Sequence, residues 1–203
     1  MTLDFAVIWR SLPFLLDGLQ LSLLLTVAAM AGGITLGLVL AVVRLSRWRV
    51  AATFAAAYVN GFRAVPLVLV IFWFYFLVPL ALGHSVDALH SALIAFTLFE
   101  AAYYSEIIRA GLQSVRPGQW QAASSSGLGQ MQALRLVILP QAFRNMLPLM
   151  VSQAVILFQD TSLVYVISLR DFMTSASIVA TRDNRMVEIY LFAAVVYFVI
   201  CAI

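Results

Sequence analysis

From Leu19 to Val43 the chain runs 25 residues without a single charge. A helix of that length reaches about 37 Å, more than the ~30 Å hydrocarbon core of a bilayer. Few soluble folds have a use for such a segment. Composition points the same way: 64% of the 203 residues are hydrophobic and only 10% are charged. A soluble domain is nearer half apolar and one quarter charged, so this chain cannot clothe itself for water. Lipid leaves no partner for open backbone groups, and the apolar runs are too continuous for the alternation of a barrel. The expected fold class is an all-α integral membrane protein, one domain over residues 1–203 with about five spans.

The remaining runs follow along the sequence. Val50 to Phe62 is small and mildly apolar and reads as an interfacial helix. Ala64 to Leu82 is the second span, with Pro66 and Pro79 near its ends and aromatic residues from Phe72 to Phe76. Ser91 to Ile108 is the third, with Glu100 and Glu106 inside it. Met146 to Phe158 is the fourth, followed by a polar break at Gln159 to Ser162 and a short apolar piece to Leu169. Arg170 to Arg185 reads as a mixed loop, and Val187 to Ile203 as a fifth, short span whose missing flank suggests a truncated C-terminus. Gly32, Gly33 and Gly37 are read as ordinary span glycines rather than as a contact motif.

All twelve basic residues are Arg, and they fall mainly between the apolar runs, as positive-inside bias places them. Arg44, Arg47 and Arg49 mark the first loop as cytoplasmic, and residues 109–145, with four Arg and no acid, mark the long loop likewise. The expected topology has the N-terminus outside and the C-terminus inside. This placement also removes any need for a nucleic-acid partner. The absence of Lys excludes a G-x-x-x-x-G-K phosphate loop, so ATP, if used, is hydrolysed by another polypeptide. The lone Cys201 excludes an internal disulfide. The N-terminal residues lack the basic start of a signal peptide. His84 and His90 do not form a metal site, and no nucleophile–base arrangement suggests an enzyme.

Residues 109–145 need a reason, because loops between spans are usually short. Pro117 and Gly118 break the incoming helix. Gln119 to Ser126 can form a short helix with Gly127 at its C-terminal cap. Leu128, Met131, Leu134 and Ile138 repeat at helical spacing, and Pro140 and Pro148 punctuate the start of the next span. Two short helices along the membrane surface are expected. From pattern alone they read equally as an interfacial hairpin without a partner or as a docking element.

The register of this segment resembles a known loop. Gln121, Ala122, Ala123, Gly127, Val137, Leu139 and Pro140 match the E-A-A, three residues, G, nine residues, I-x-L-P pattern of binding-protein-dependent ABC importer permeases. Gln121 stands where the family has Glu, and Val137 where it has Ile. Glu100 through Gly111, Arg63–Ala–Val–Pro66 and Phe158 through Tyr165 resemble polar amino-acid permeases, most closely the glutamate/aspartate importers of Gram-negative bacteria. Most relatives carry Lys at the position of Gln159. The resemblance implies the type I importer architecture with cytoplasmic coupling helices, in the bacterial inner membrane. It implies that Gln121, Ala122, Ala123, Gly127, Leu139 and Pro140 couple to an ATPase, where ATP and Mg are bound. No cofactor is expected on this chain. The implied partners are two ATPase subunits, a second and paralogous permease subunit, and a periplasmic solute-binding protein. Glutamine, histidine or arginine transport, a self-contained secondary transporter, and a membrane anchor without transport are the alternatives.

Polar residues inside spans are costly and mark candidate pathway groups. Glu100 either lines the path or is hydrogen-bonded across helices, and Tyr104 lies one turn later on the same face. Glu106 can pair with Arg109. Gln159, Asp160, Thr161 and Ser162 interrupt an apolar run, as discontinuous helices do at transport sites. Alternatively the span ends there and Asp160 caps the next helix. Asp160 would bind an α-ammonium or an internal Arg. Arg63 would attract a carboxylate or simply snorkel to the interface.

Overall fold

The computed structural model describes residues 3–202, so Ile203, the end of the last apolar run, lies outside the described residues. Helices account for nearly all of them, and no strand occurs among the described residues. The order is α1 (Ala6–Leu45), α2 (Arg49–Arg63), α3 (Leu67–Phe72), a π turn (Trp73–Leu77), α4 (Val78–Leu82), α5 (Ala88–Gln113), α6 (Pro117–Ser125) and α7 (Gln130–Ala133). A second π turn (Leu134–Ile138), α8 (Leu139–Asp160), a 3₁₀ segment (Thr161–Ile167), α9 (Phe172–Arg182) and α10 (Met186–Ala202) complete it. Three helical stretches are long and apolar enough to cross a membrane: Ala6–Leu45, Ala88–Gln113 and Gln130–Ile167. Arg49–Arg63 with Leu67–Leu82 can form one broken span, and Met186–Ala202 is a shorter apolar helix. By length and composition that gives three spans, four with the broken pair, and the expected five only when Met186–Ala202 is counted.

Contacts divide the chain into two compact units, and helices α1, α5 and α8 contribute to both. The first comprises Met1–Met30, Pro66–Thr97 and Val155–Ile203. Here α1 starts at Ala6, not near Leu19, and runs through Pro13 and Gly18. The reason is tertiary. Val7 and Leu15 join a core with Phe172, Ala176, Val179 and Ala180 of α9 and Ile189 and Ala193 of α10. A Cβ at Gly18 would stand 2.7 Å from the Asp171 carbonyl oxygen, so only glycine permits this approach. The expected loop from Arg170 to Arg185 is instead mostly α9. Asp171 caps it, accepting from the Met173 and Thr174 amides at 3.0 and 3.1 Å. The Phe172 amide donates to Ser22 Oγ at 3.1 Å, tying that helix start to α1.

The second unit comprises Ala31–Val65 and Leu98–Ala154. Its core gathers Ala41 of α1, Ile108 of α5, Val115, Ile138, and Ala142 and Met146 of α8. Gly33 and Gly37 are contact glycines, contrary to expectation. A Cβ on Gly33 would lie 2.7 Å from Glu100 Cβ, and one on Gly37 2.9 Å from both the Ser105 amide nitrogen and Tyr104 Cβ. Small residues one turn apart let two helices meet backbone to backbone.

The two π turns have a shared cause. Val78 donates to the Trp73 carbonyl and Leu139 to the Leu134 carbonyl, each across five residues. The next residue is Pro79 in one case and Pro140 in the other. A proline inside a helix lacks an amide and crowds the carbonyl four residues back. Widening the preceding turn relieves that crowding without ending the helix. Pro140 therefore does not separate a surface helix from a span. The chain is helical from Gln130 through Ile167, which corrects the expectation of two short surface helices.

Candidate functional site

The polar segment folds in the second unit. Helix α5 extends to Gln113, five residues past its expected end at Ile108, so the loop proper begins at Ser114. Pro117 does not break the incoming helix but opens α6, at its first turn, where the lost amide costs nothing. Gly127 adopts φ +81° and closes α6. Its amide donates to the Ser124 carbonyl at 3.0 Å, and the Leu128 amide reaches the Ala123 carbonyl at 3.1 Å. That pair of bonds is the Schellman termination. Gly129 then begins α7, its amide held by the Gln132 side chain at 3.0 Å.

Of the sequence-predicted coupling residues, Gln121, Ala122 and Gly127 are exposed, as are Leu139 and Pro140, while Ala123 is buried. Ala123 faces inward, so α6 offers Gln121 and Ala122 outward. Trp120, Ser124, Gln130, Met131 and Leu134 line an open groove between α6 and the helix that follows. Met131 is 66% exposed, against 1% for Ile138, so the apolar face expected over Leu128–Ile138 is only buried toward its end.

Two hydrogen bonds link the loop to the long helix. Gln141 Nε2 donates to Gln119 Oε1 at 3.0 Å, and Asn145 Nδ2 donates to Ser114 Oγ at 2.8 Å. A displacement of α6 therefore bears on α8 through side chains as well as through the backbone. Glu106 ties α5 to a different helix. It pairs with Arg109, as its spacing suggested, and also with Arg44 of α1 at 2.7 Å.

The pathway candidates are not all brought together. In the second unit Glu100 and Tyr104 are fully buried on one face of α5. Gln153 Nε2 donates to both Glu100 oxygens at 3.1 Å, so the cross-helix reading describes Glu100. Gln153 was missed in the sequence, although with Ser152 it interrupts an apolar run and attention to polar residues within spans would have found it. The Tyr104 hydroxyl and Ser105 Oγ are also buried, without hydrogen-bond partners among the described residues. Arg63 is exposed at the end of α2 and sits 5.5 Å from the centre of the Tyr103 ring, a cation–π contact. Gln159, Asp160, Thr161 and Ser162 lie in the first unit, where the α-helix changes to 3₁₀ at Thr161. Asp160 has αR backbone angles and caps nothing with its side chain. It is half-buried, and Thr161 is fully buried with its hydroxyl bonded to the Phe158 carbonyl.

Outside the apolar runs, charges meet in local pairs. The Arg182 guanidinium beside Asp183 holds that carboxyl below the usual carboxylate range. His90 does the same for Asp87 through a hydrogen bond.

Residues 33–203 match the model of the binding-protein-dependent transport system inner membrane component. The chain belongs to that family. This permease is 54% identical over 97% of its length to the glutamate/aspartate import permease protein GltK of Escherichia coli O6:H1, covering 91% of it. It is 35% identical over its full length to the arginine transport system permease protein ArtQ of Bacillus subtilis, covering 93%. Among solved structures it resembles an amino acid ABC transporter crystallised with histidines. That likeness has a TM-score of 0.90 at 32% identity and covers all of this permease and 94% of the other chain. The all-α ABC importer permease fold is thereby established for it, and it is a multi-pass membrane component of an importer.

Proposed function

We propose that this permease forms one half of an ATP-driven pathway that carries L-glutamate and L-aspartate from periplasm to cytoplasm. A paralogous permease supplies the other half. Two ATPase subunits, which bind ATP and Mg, dock on residues 109–145, and a periplasmic binding protein delivers the amino acid. The N-terminus is periplasmic and the C-terminus cytoplasmic. Gln121 and Ala122 contact the ATPase, Ala123 seats α6 on the permease, and Gly127 sets the turn that aims it. Leu139 and Pro140 carry the movement into α8. Gln159, Asp160, Thr161 and Ser162 flank the amino acid's route where α8 tightens into 3₁₀. Within the second unit, Arg63, Glu100 and Tyr104 are separate candidates for transport, Glu100 and Tyr104 acting from buried positions.

One observation carries this reading: an exposed short helix, closed by a left-handed Gly127, and the loop leading into it are bonded through Gln119 and Ser114 respectively to a helix long enough to span the bilayer. The 54% identity to a glutamate/aspartate permease supports the choice of amino acid. Gln121 in place of the family's Glu leaves docking to shape and hydrogen bonding rather than to a salt bridge at that position.

The experiment is uptake by the reconstituted complex with Gly127→Val. A β-branched residue in the left-handed region costs about 1–2 kcal/mol and misdirects the turn. Uptake should fall about tenfold or more while the variant still inserts. Full uptake by a correctly inserted variant would refute coupling through this loop. Glutamate transport by the permease alone, with no ATPase present, would instead establish a self-contained transporter.

A further inference from the structure

Beside the start of α9, the first unit holds a cavity that neither the coupling residues nor the pathway candidates line. Its volume is about 390 Å³, and its walls come from α1 and from the connection between the 3₁₀ segment and α9. Phe14 and Leu21 supply apolar surface, Asp17 and Arg170 supply opposite charges, and Ser168 and Ser175 supply hydroxyls.

Asp17 and Arg170 are both exposed, and neither forms an ion pair or side-chain hydrogen bond among the described residues. Glu106 pairs with Arg44 and Glu188 with Arg185, whereas other exposed arginines, Arg116 and Arg144 among them, are without an ion pair among the described residues. Here two opposite charges share one cavity and stay apart, which leaves room for a ligand that satisfies both. Ser175, itself buried, faces the same space. Ser168, at φ +63°, ends the 3₁₀ segment, its amide donating to the Tyr165 carbonyl at 3.0 Å and the Leu169 amide to the Val164 carbonyl at 3.3 Å. The volume falls in the ordinary range for small-molecule sites, roughly 300–1,000 Å³.

We propose that this cavity is an outer binding site for a zwitterionic amino acid. Its ammonium lies at Asp17 and a carboxylate at Arg170, with the carbon chain against Phe14 and Leu21. The guanidinium offers a planar fork suited to a carboxylate, and both contacts are charge-assisted. The inference rests on the reading of the chain as an amino-acid importer and adds a station to it, distinct from the 159–162 segment.

The test is binding of radiolabelled L-glutamate to the complete transporter in lipid nanodiscs without the binding protein, beside its deaminated analogue glutarate. The native complex should prefer glutamate by about tenfold or more, the scale of one charge-assisted contact. Asp17→Asn should abolish that preference, and Arg170→Gln should weaken both ligands by a similar factor. Arg10→Gln, at an exposed position outside the cavity, should change neither. Absence of saturable glutamate binding to the native complex at millimolar concentration would overturn the proposal. So would an unchanged glutamate-to-glutarate ratio in Asp17→Asn. Variants that weaken capture of the binding protein but bind glutamate normally would make the cavity a protein contact, and the proposal would fall. Failure of the complete system to import any amino acid would sink the functional reading itself; import with unaltered binding in both variants removes only this site.

Discussion

Replacing Gly37 by Ala adds one methyl group where α1 meets α5. Its carbon would stand 2.9 Å from the Ser105 amide nitrogen, 2.9 Å from Tyr104 Cβ and 3.0 Å from the Ala101 carbonyl oxygen. Two of those three atoms are backbone and cannot rotate aside, so the helices must separate by a few tenths of an ångström. Overpacking of this kind costs about 1–3 kcal/mol. Alanine's better helix propensity returns about 0.5–1 kcal/mol. The net loss, about 1 kcal/mol at the middle of these ranges, should lower Tm by roughly 2–4 °C for a chain of this size. Gly61→Ala is the matched control, because a Cβ there meets nothing within 4 Å. It keeps only the propensity gain of about 0.5–1 kcal/mol, and Tm should rise by about 1–4 °C. Thermal unfolding of both variants in detergent, followed by tryptophan fluorescence, measures the difference. Shifts of the same sign in the two variants would refute the close α1–α5 contact.

Three further outcomes follow from the same geometry. Glu106→Gln removes the charge between Arg44 and Arg109 and should destabilise by about 1–2 kcal/mol, less than a fully buried pair because both partners keep some solvent; a double-mutant cycle with Arg44→Ala reads the coupling directly. Asp171→Ala removes the cap of α9 and should cost about 1 kcal/mol, seen as faster protease cleavage near residues 168–172. Pro140→Ala restores an amide and should let the preceding π turn relax to α, turning Met131 and Leu136 to new positions. Cysteine cross-links from those two sites to the ATPase should then change pattern, with ATP hydrolysis by the ATPase alone intact.

Much of this was legible in the sequence because lipid makes hydrophobic length nearly decisive. Leu19–Val43, Ser91–Ile108 and Met146–Phe158 all fall within the long helices. Gly127 was legible for a different reason: a glycine after a short polar helix has a specific backbone task. The misses share one cause. Pro13, Asp17 and Gly18 look like punctuation, yet α1 passes through them because Val7 and Leu15 find apolar partners on α9 and α10. Arg170–Arg185 looks like a loop because its apolar residues are spaced for burial against other helices, not for lipid. The role of Gly33 and Gly37 depends on which helix faces them, and spacing along one strand of sequence does not name that partner. Gln153 and Arg44 were invisible as partners of Glu100 and Glu106 for the same reason.

A π turn is, in sequence terms, one residue more than an α-helix needs for the same advance. The segments before and after Leu134–Ile138 are thus out of phase by about 100°, so no single helical wheel describes residues 130–160. A one-residue deletion within 134–138, made together with Pro140→Ala, would return the helix to regular winding and leave the facing of Met131 and of Gln153 nearly as they are. A one-residue deletion within 146–152 would instead swing Gln153 away from Glu100. Tolerance of single-residue deletions along this helix should therefore be uneven, and its most permissive stretch should be the turn just before the proline.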